Sequence, residues 1–463
     1  MFQQSDAHEV NAHDPSTAYT KKLLRRRDFL KRSAGVVGAT SLSGVLAACT
    51  SSGFGGGGGG GGGTVTLSFG DMNWGNNSYA KVGQQLVNEF NDSHKGIRVT
   101  YRAIPWANWF QTLTTAVGSG TQPDIGSGGS FAGVQFAGSN DILSLDDVVD
   151  EIKKSGQAKD YIPNAFSPLM QYKGHYITLP FGTDIRVPLY RKDIFQQAGI
   201  DIPTTWDEWR QVAKKLTKNG KYGLLEAGSD NLTEHMLETL MINNGAGLFT
   251  PDKKLVLNSN PLNIEALRFF ADLVEDGSFD PASSGYVSDD AIAAFSRGDG
   301  AMIMGAPGFA GQMDAKTLQN TGVIPPMASP HGTKGTLFWE NNTFIYSSTK
   351  HPNEAKEFLL WWQANNKPLW TVGGNNPIPI RESYYNDPYF KAIPYLQQVR
   401  TQYLPIAKSA NAQRAEAFPA LNPLDGDGTL VTLGQNLLGK KDFMTSINTA
   451  QAGLQKVVDS TPG

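Results

Sequence analysis

The stretch Val65-Thr66-Leu67-Ser68-Phe69 alternates apolar and polar residues, and it opens the segment that decides the fold class. Alternation with a period of two predicts a β-strand. The apolar residues that follow recur at helical spacing on one face, and they are Tyr79, Val82, Leu86 and Phe90. Alternation returns in Ile97-Arg98-Val99-Thr100-Tyr101, and a second helix near residues 108–117 precedes a third strand at residues 123–125. This βαβαβ order predicts an α/β fold with a parallel sheet.

Polar and aromatic residues follow each of these predicted strands. Asn73 and Trp74 come after the first strand, Pro105 and Trp106 after the second, and residues 127–130 after the third. The carboxyl ends of parallel strands share one edge of the sheet, and ligands bind at that edge in open α/β folds. The sequence therefore predicts a ligand site in this region.

Composition excludes several classes of function. The 463 residues include 40 Lys+Arg and 43 Asp+Glu, so no basic surface for nucleic acid is expected. The single cysteine, Cys49, excludes an internal disulfide and a cysteine metal cluster. No histidines stand in an HExxH or HxH spacing, and no GxSxG or phosphate-binding loop occurs. We expect no metal, no cofactor and no catalytic residues.

Residues 1–48 are predicted to be an export signal and not part of the fold. A basic block that contains Arg26 and Arg27 is followed by an uncharged stretch, which resembles a twin-arginine signal. Leu46-Ala47-Ala48-Cys49 resembles a bacterial lipoprotein box, in which Cys49 becomes the lipidated first residue. A free thiol in an ordinary signal tail is the alternative.

A glycine-rich tether is predicted over residues 49–63, because nine consecutive glycines begin at Gly55. Together with lipid on Cys49, the tether would hold the protein body outside the cytoplasm. We expect it at the outer face of the bacterial cytoplasmic membrane.

Four further segments stand in a fixed order along the chain. They are residues 173–208, with Leu179-Pro180, Thr183-Asp184, Leu189-Tyr190 and Thr205-Trp206-Asp207-Glu208; residues 294–302, with Ala294-Phe295; residues 349–359, with His351-Pro352; and residues 376–381, with Asn376-Pro377. The ordered set resembles the family 1 extracellular solute-binding proteins, the carbohydrate receptors of ABC importers.

The resemblance implies a two-lobed fold like that of periplasmic binding proteins. Each lobe would be a mainly parallel sheet flanked by helices, with a hinge between the lobes and the ligand in the cleft. Crossings between lobes are expected at residues 181–186, near residues 339–342 and near Asn375. Lobe 1 would comprise residues 64–183 and 338–375, and lobe 2 residues 184–337 and 376–463.

A sugar offers in-plane hydroxyl groups and an apolar C–H face, so its receptor needs planar polar side chains and aromatic rings. Trp74 and Trp339 are the predicted stacking rings, with packing inside the protein as the alternative for Trp74. Asp184 would accept hydroxyl hydrogen bonds with the help of Arg186, and a structural ion pair is the alternative. The other predicted ligand-binding residues lie in loops and crossings, and they are Asn73, Ser127, Pro307, Phe309, Glu340, Asn341 and Asn375.

Several tryptophans are predicted to have no role in binding. Trp106 and Trp109 are expected to pack within the protein, and Trp206, Trp209 and Trp362 within its core. The sequence also departs from the family at Gly308, which stands where relatives have a stacking tryptophan.

The function implied is a monomeric, lipid-anchored receptor that binds a carbohydrate and delivers it to the permease subunits of an ABC importer. Two alternatives stay open. One is a receptor of the same fold for a non-sugar solute such as a polyol phosphate, a polyamine or an osmolyte. The other is a secreted glycosidase, because the separation of two catalytic carboxylates is set only in the fold.

Overall fold

The computed structural model describes residues 63–106, 108–129, 131–163, 165–410, 412–413 and 416–461. The predicted signal, Cys49 and the predicted tether up to residue 62 lie outside these residues. Within the described part, no helix has the length and apolar character needed to cross a membrane.

The described strands are β1 (Val65–Met72), β2 (Ile97–Ile104), β3 (Ile125–Gly128), β4 (Gln171–Tyr172), β5 (His175–Tyr176), β6 (Leu179–Ile185), β7 (Val187–Arg191), β8 (Tyr222–Leu225), β9 (Gly300–Gly305), β10 (Thr321–Val323), β11 (Thr336–Ile345), β12 (Ile378–Pro379) and β13 (Ala407–Lys408).

The described α-helices are α1 (Tyr79–Ser93), α2 (Trp109–Ser119), α3 (Ala132–Gly138), α4 (Asp146–Lys154), α5 (Lys192–Ala198), α6 (Trp206–Leu216), α7 (Asn231–Asn243), α8 (Pro261–Glu275), α9 (Ser288–Arg297), α10 (Ala315–Asn320), α11 (Pro352–Asn365), α12 (Pro368–Thr371), α13 (Pro388–Lys391), α14 (Leu396–Gln398), α15 (Leu421–Gly426), α16 (Thr429–Leu438) and α17 (Phe443–Ser460).

The first sheet has the order β12-β6-β11-β3-β1-β2. Its pairs β1–β2 and β1–β3 are parallel, which confirms the βαβαβ prediction. The pairs β3–β11, β11–β6 and β6–β12 are antiparallel, and the start of β11 also pairs in parallel with β13.

The second sheet has the order β10-β7-β9-β8. Its pairs β10–β7 and β7–β9 are antiparallel, and β8–β9 is parallel. The α/β fold expected from the sequence is confirmed, although both sheets are mixed and not mainly parallel. A βαβ connection, with a helix between two strands, makes those strands parallel. Only Arg186 lies between β6 and β7, and β11 is a single long strand, so no such connection sets the directions of these strands.

Three apolar clusters hold the body together. The first packs α1 and α11 on the first sheet, where the rings of Phe69 and Trp362 meet edge to face at 5.0 Å between centroids. The other two lie on opposite faces of the second sheet, because Met302 and Met304 of β9 belong to one and Ile303 belongs to the other. Burial of Trp206, Trp209 and Trp362 at 0–2% exposure confirms that these rings are core.

The segment that follows Asn375 packs with the first cluster, and not with the lobe to which the sequence analysis assigned it. Ile378, Ile380 and Tyr384 lie in the first cluster, although the sequence analysis assigned residues 376–463 to lobe 2. The cause is β12, which adds to the edge of β6 and carries its apolar side chains into the first core. The chain reaches the third cluster with the partly buried Ile393 and then with the buried Tyr395 and Val399.

Candidate functional site

Strands β6 and β11 pair side by side in the first sheet, and β6 leads through Arg186 into β7 of the second sheet. Their side chains form the centre of the candidate site. Asp184 of β6 stands opposite Trp339 of β11 in the ladder. Arg186 Nη1 donates to Asp184 Oδ1 at 2.6 Å, and the guanidinium lies 4.7 Å from the centre of the Trp339 ring. The His235 ring also packs on Trp339, with 4.2 Å between centroids. We call Asp184, Arg186, His235, Trp339 and Asp425 the crossing cluster.

His235 links the crossing cluster to helix α15. Its Nδ1 accepts from Arg186 Nη2 at 2.8 Å, and its Nε2 lies 3.6 Å from Asp425 Oδ1. Burial and the neighbouring guanidinium lower the pKa of His235, so the neutral ring is favoured. A neutral ring that accepts at Nδ1 carries its hydrogen on Nε2, which then points toward Asp425.

Three more carboxyl groups are buried near the crossing cluster. Burial raises the pKa of Glu226 to about 8, and it raises those of Glu234 and Glu238 well above the usual range with Asp425 as a further cause. One oxygen each of Glu226 and Glu234 has no hydrogen-bond partner among the described residues. These groups therefore favour their protonated form, in which a carboxyl group can donate as well as accept.

The residues after Trp339 are also buried. Glu340 Oε2 accepts from Ser167 Oγ at 2.6 Å, and burial raises the pKa of Glu340 to about 8. Asn341 Nδ2 and Trp339 Nε1 find no hydrogen-bond partner in the described part of the chain. Strand β11 thus presents two unused donors beside the crossing cluster.

The loop after β1 is held by a buried network. Ser127 Oγ donates to Asp71 Oδ1 at 2.5 Å, and it accepts from Met72 N at 2.8 Å and from Trp74 Nε1 at 3.3 Å. Burial raises the pKa of Asp71 to about 7. Ser127 and Trp74, both predicted to bind ligand, are 0% and 3% exposed, so here they contact the protein itself.

Trp106 differs from the expectation that it packs inside the protein. Its side chain is 41% exposed, whereas Trp109 is 6% exposed as predicted. Trp106 Nε1 donates to the carbonyl oxygen of Asn73 at 2.8 Å, and its ring meets Trp74 edge to face at 4.9 Å. Trp106 thus packs on loop residues as expected, but its exposure was not predicted, because the loop after β2 leaves much of the side chain open.

The segment from Pro307 to Gln312 contacts the Asn375 region. A Cβ on Gly308 would overlap the carbonyl oxygen and Cα of Asn376, whose amide N donates to the Trp74 carbonyl at 2.9 Å. Both side-chain polar atoms of Asn375 lack a partner among the described residues. This contact explains the glycine at position 308, since no side chain fits there.

Phe309 is a core residue and does not line an open site. It is 6% exposed in the third cluster, and a Cβ on Gly305 would come within 2.5 Å of its ring. The carbonyl oxygen of Pro307 accepts from Tyr395 Oη at 3.0 Å. Sequence reasoning assigned Phe309 to the ligand because it could not show which way the ring turns.

The structure therefore brings the predicted residues together in two groups. Asp184, Arg186 and Trp339 meet at the crossing, and the loop holding Asn73 and Trp74 meets the Asn375 region. His235 and the carboxyl groups of α7 were not predicted. The sequence pattern that could have predicted them is the presence of charged residues at helical spacing within the otherwise apolar segment of α7. In the structure this helix is buried along almost its whole length. No group of three or more His, Cys, Asp or Glu in the described part could hold a metal ion.

Comparison with known proteins gives consistent matches. A family model of bacterial extracellular solute-binding proteins matches residues 75–365. A putative binding protein of Brucella abortus is 27% identical over 288 residues, which cover 60% of this chain and 68% of that protein. The sn-glycerol-3-phosphate-binding periplasmic protein of Agrobacterium fabrum is 24% identical over 415 residues, which cover 82% of this chain and 88% of that protein.

Solved structures show the same likeness. A sugar transporter from Arthrobacter chlorophenolicus, crystallised with bound laminaribiose, is 32% identical to this chain. The TM-score is 0.78, and the alignment covers 85% of this chain and 99% of that one.

Proposed function

Because the chain belongs to the bacterial extracellular solute-binding proteins, we propose that it is the receptor of an ABC importer and binds a carbohydrate between its two lobes. It would deliver the sugar to the permease subunits as a monomer, unchanged and without catalysis. The likeness to a sugar transporter that holds laminaribiose supports this proposal.

One observation in the structure carries the proposal. The indole of Trp339 lies at the crossing with an unused Nε1 donor, next to the unused Nδ2 of Asn341 and the carboxylate of Asp184. Buried polar atoms are normally hydrogen-bonded, so unpartnered ones beside an aromatic ring favour a ligand with hydroxyl groups. Trp339 is 5% exposed and packs against Arg186 and His235, so the unpartnered donors, and not an open indole face, are what support a ligand with hydroxyl groups.

A polyol phosphate is the second candidate, favoured by the likeness to the sn-glycerol-3-phosphate-binding protein. Its phosphate would need positive charge near the crossing. Arg186 is already held by Asp184 and His235, and Glu234 and Glu238 are buried close to Asp425. The guanidinium of the crossing cluster is thus already paired with Asp184, and a phosphate would compete with that carboxyl group for it, which favours a neutral sugar.

A thermal-shift screen with laminaribiose, maltose, glucose and sn-glycerol 3-phosphate tests the proposal. A ligand that binds only the folded state raises its stability by RT ln(1 + [L]/Kd), about 2.7 kcal/mol at a hundredfold excess over Kd. A shift with a sugar, with chromatography recovering that sugar intact, supports the receptor. A shift with the phosphate alone supports the second candidate, and cleavage of the sugar supports a glycosidase.

Closure of the lobes around the sugar is part of the proposal. A ligand shifts an open–closed equilibrium only through its different affinity for the two forms, so both lobes must contact it. The loop that holds Asn73 would act from the first lobe and the crossing cluster from the hinge. Small-angle scattering at saturating sugar should show a smaller radius of gyration, and an unchanged radius would contradict closure.

We also propose that lipid on Cys49 anchors the protein at the outer face of the cytoplasmic membrane. Cys49→Ser should release the protein from the membrane fraction, and Ser51→Ala in the adjoining segment should not. Arg26→Lys with Arg27→Lys should block a twin-arginine route. Retention of the Cys49→Ser variant in the membrane fraction would contradict the anchor.

A further inference from the structure

A buried carboxyl group near the end of β1 is held by hydroxyl groups. Asp71 is 1% exposed, and Ser127 Oγ of β3 donates to its Oδ1 at 2.5 Å. The hydroxyl groups of Tyr79 on α1 and Tyr101 on β2 each donate to its Oδ2 at 3.1 Å. The Trp74 indole approaches the same carboxyl group from the loop after β1. None of these four side chains carries a charge.

These contacts fit the ionised form of Asp71. Burial and the charge of Asp71 raise the pKa values of Tyr79 and Tyr101, so each tyrosine keeps its hydrogen and donates. A carboxylate accepts hydrogen bonds and donates none, which matches the three hydroxyl donors around it. Burial also raises the pKa of Asp71 to about 7, against the effect of those donors. Asp71 therefore changes its charge near neutral pH.

Ser127 cannot accept a further hydrogen bond. A hydroxyl group donates one hydrogen bond and accepts two. Ser127 Oγ donates to Asp71 and accepts from Met72 N at 2.8 Å and from Trp74 Nε1 at 3.3 Å. Because Asp71 Oδ2 already accepts two hydroxyl groups, Oδ1 is the oxygen with room for a proton. A proton there would donate to Ser127, which must then lose one of its two donors, and the longer contact is the one to Trp74.

Trp74 connects this network to polar groups at the proposed site. Its carbonyl oxygen accepts from Asn376 N at 2.9 Å. Asn73, directly before it, has a buried Oδ1 without a hydrogen-bond partner among the described residues, and so do both side-chain polar atoms of Asn375. Release of the indole would therefore loosen the backbone segments that carry both asparagines.

We infer that Asp71 is a positioning residue of the proposed sugar site. In its ionised form it turns Ser127 so that the serine holds the Trp74 indole and fixes the loop of Asn73, and in its protonated form it lets the indole go. The effect on the sugar rests on the proposed function, whereas the contact with the indole can be tested without a ligand. Sugar binding should be tighter above neutral pH than below it.

The indole N–H signals of the nitrogen-15-labelled, ligand-free protein test the contact by magnetic resonance, and Trp74→Phe identifies the signal of Trp74. In the wild type this signal should move between pH 5.5 and pH 8.5 with a midpoint near pH 7. The signal of Trp362, whose indole is fully buried on α11, is the internal control and should stay in place.

Two variants separate the role of the charge from that of the packing. Asp71→Asn should hold the Trp74 signal at its low-pH position, because the amide can present NH2 toward Ser127 as the protonated acid does. Tyr101→Phe removes one donor to the carboxylate, so it should raise the midpoint and keep the movement of the signal.

Calorimetry with laminaribiose and maltose at pH 6 and pH 8 tests the effect on binding. With a pKa of about 7, the ionised fraction of Asp71 rises from about one-tenth to about nine-tenths over this interval. The Kd of the wild type should therefore fall by about three- to ninefold from pH 6 to pH 8. Asp71→Asn should keep the pH 6 value at both pH values. Asp92→Asn, on an exposed residue of α1, is the matched control and should behave as the wild type.

Two results would overturn the inference. One is a Trp74 signal that does not move with pH, or that moves equally in Asp71→Asn. The other is an equal fall in Kd for the wild type and Asp71→Asn. If the chain binds neither sugar, the proposed function fails for these sugars, and the Trp74 signal alone decides: movement that Asp71→Asn abolishes supports the positioning role, and a constant signal refutes it.

Discussion

The replacement of Glu340 by glutamine gives a prediction whose size follows from the structure. Glu340 is 7% exposed, and burial raises its pKa from 4.5 to about 8. Between pH 4.5 and about pH 8, Glu340 keeps its proton in the folded chain and releases it in the unfolded chain. The free energy of unfolding must therefore fall as pH rises, by about 1.4 kcal/mol per pH unit, and by about 5 kcal/mol over the whole interval.

Glu340→Gln removes this titration and keeps the hydrogen bond, because the amide oxygen can accept from Ser167 as the carboxyl oxygen does at 2.6 Å. Urea unfolding of the ligand-free protein at pH 5, 6, 7 and 8 measures the effect. At pH 5 the variant and the wild type should agree within about 1 kcal/mol. The variant should then gain about 1.4 kcal/mol over the wild type with each pH unit.

Other buried carboxyl groups do not confuse this comparison. Glu226 and Asp71 also have raised pKa values, but they contribute the same slope to both proteins, so the difference isolates Glu340. Glu89→Gln, on the exposed face of α1, is the matched control for the same chemical change outside the core. A constant difference between Glu340→Gln and wild type from pH 5 to 8 would refute the argument.

Three further outcomes are expected. Trp362→Ala should lower the free energy of unfolding by about 3–5 kcal/mol and leave the Kd for sugar unchanged. Trp339→Ala should instead weaken sugar binding by very roughly 1–3 kcal/mol. If Trp362→Ala weakens binding and Trp339→Ala lowers only stability, the two roles are exchanged. Gly308→Ala should cost about 1–3 kcal/mol in urea unfolding because its Cβ overlaps backbone, while Gly311→Ala, whose Cβ would lie 3.4 Å from its nearest neighbour, should cost less. Asn341→Leu removes the unpartnered amide, so it should stabilise the ligand-free protein and abolish sugar binding measured by calorimetry. A less stable variant would show that the amide is already paired.

Local periodicity was enough to predict the first lobe's opening segment. The residues of α1 predicted to face the core are buried, and β1 and β2 pair in parallel register from Val65 and Ile97 onward. The antiparallel pairing of β6 with β11 was missed, because it joins positions such as Ile185 and Phe338 that lie far apart in the chain. Alternation within a strand gives no information about the direction of its neighbour.

The same limit applies to the site. Asp184 and Arg186 are two positions apart and could be predicted as a pair, whereas Arg186 and His235 are separated by 49 residues and meet only through the packing of α7 on β11. The exposure of individual side chains was harder still to predict from the sequence. Trp106 and Phe309 are both aromatic residues in loops beside predicted ligand positions, and only the tertiary structure shows that the first is open and the second is core.

In the proposed receptor one region would serve both as hinge and as site, and the energetics of the crossing suit it to both roles. An unpartnered buried polar group costs roughly 1–3 kcal/mol, so Trp339 Nε1, Asn341 Nδ2 and Glu234 Oε2 weaken the ligand-free protein where its two sheets meet. Apolar residues of similar size would make that region more stable. A sugar that supplies the missing partners removes the deficit only when both lobes contact it. Under this proposal the ligand would contribute the free energy of closure, and the unliganded receptor would remain open.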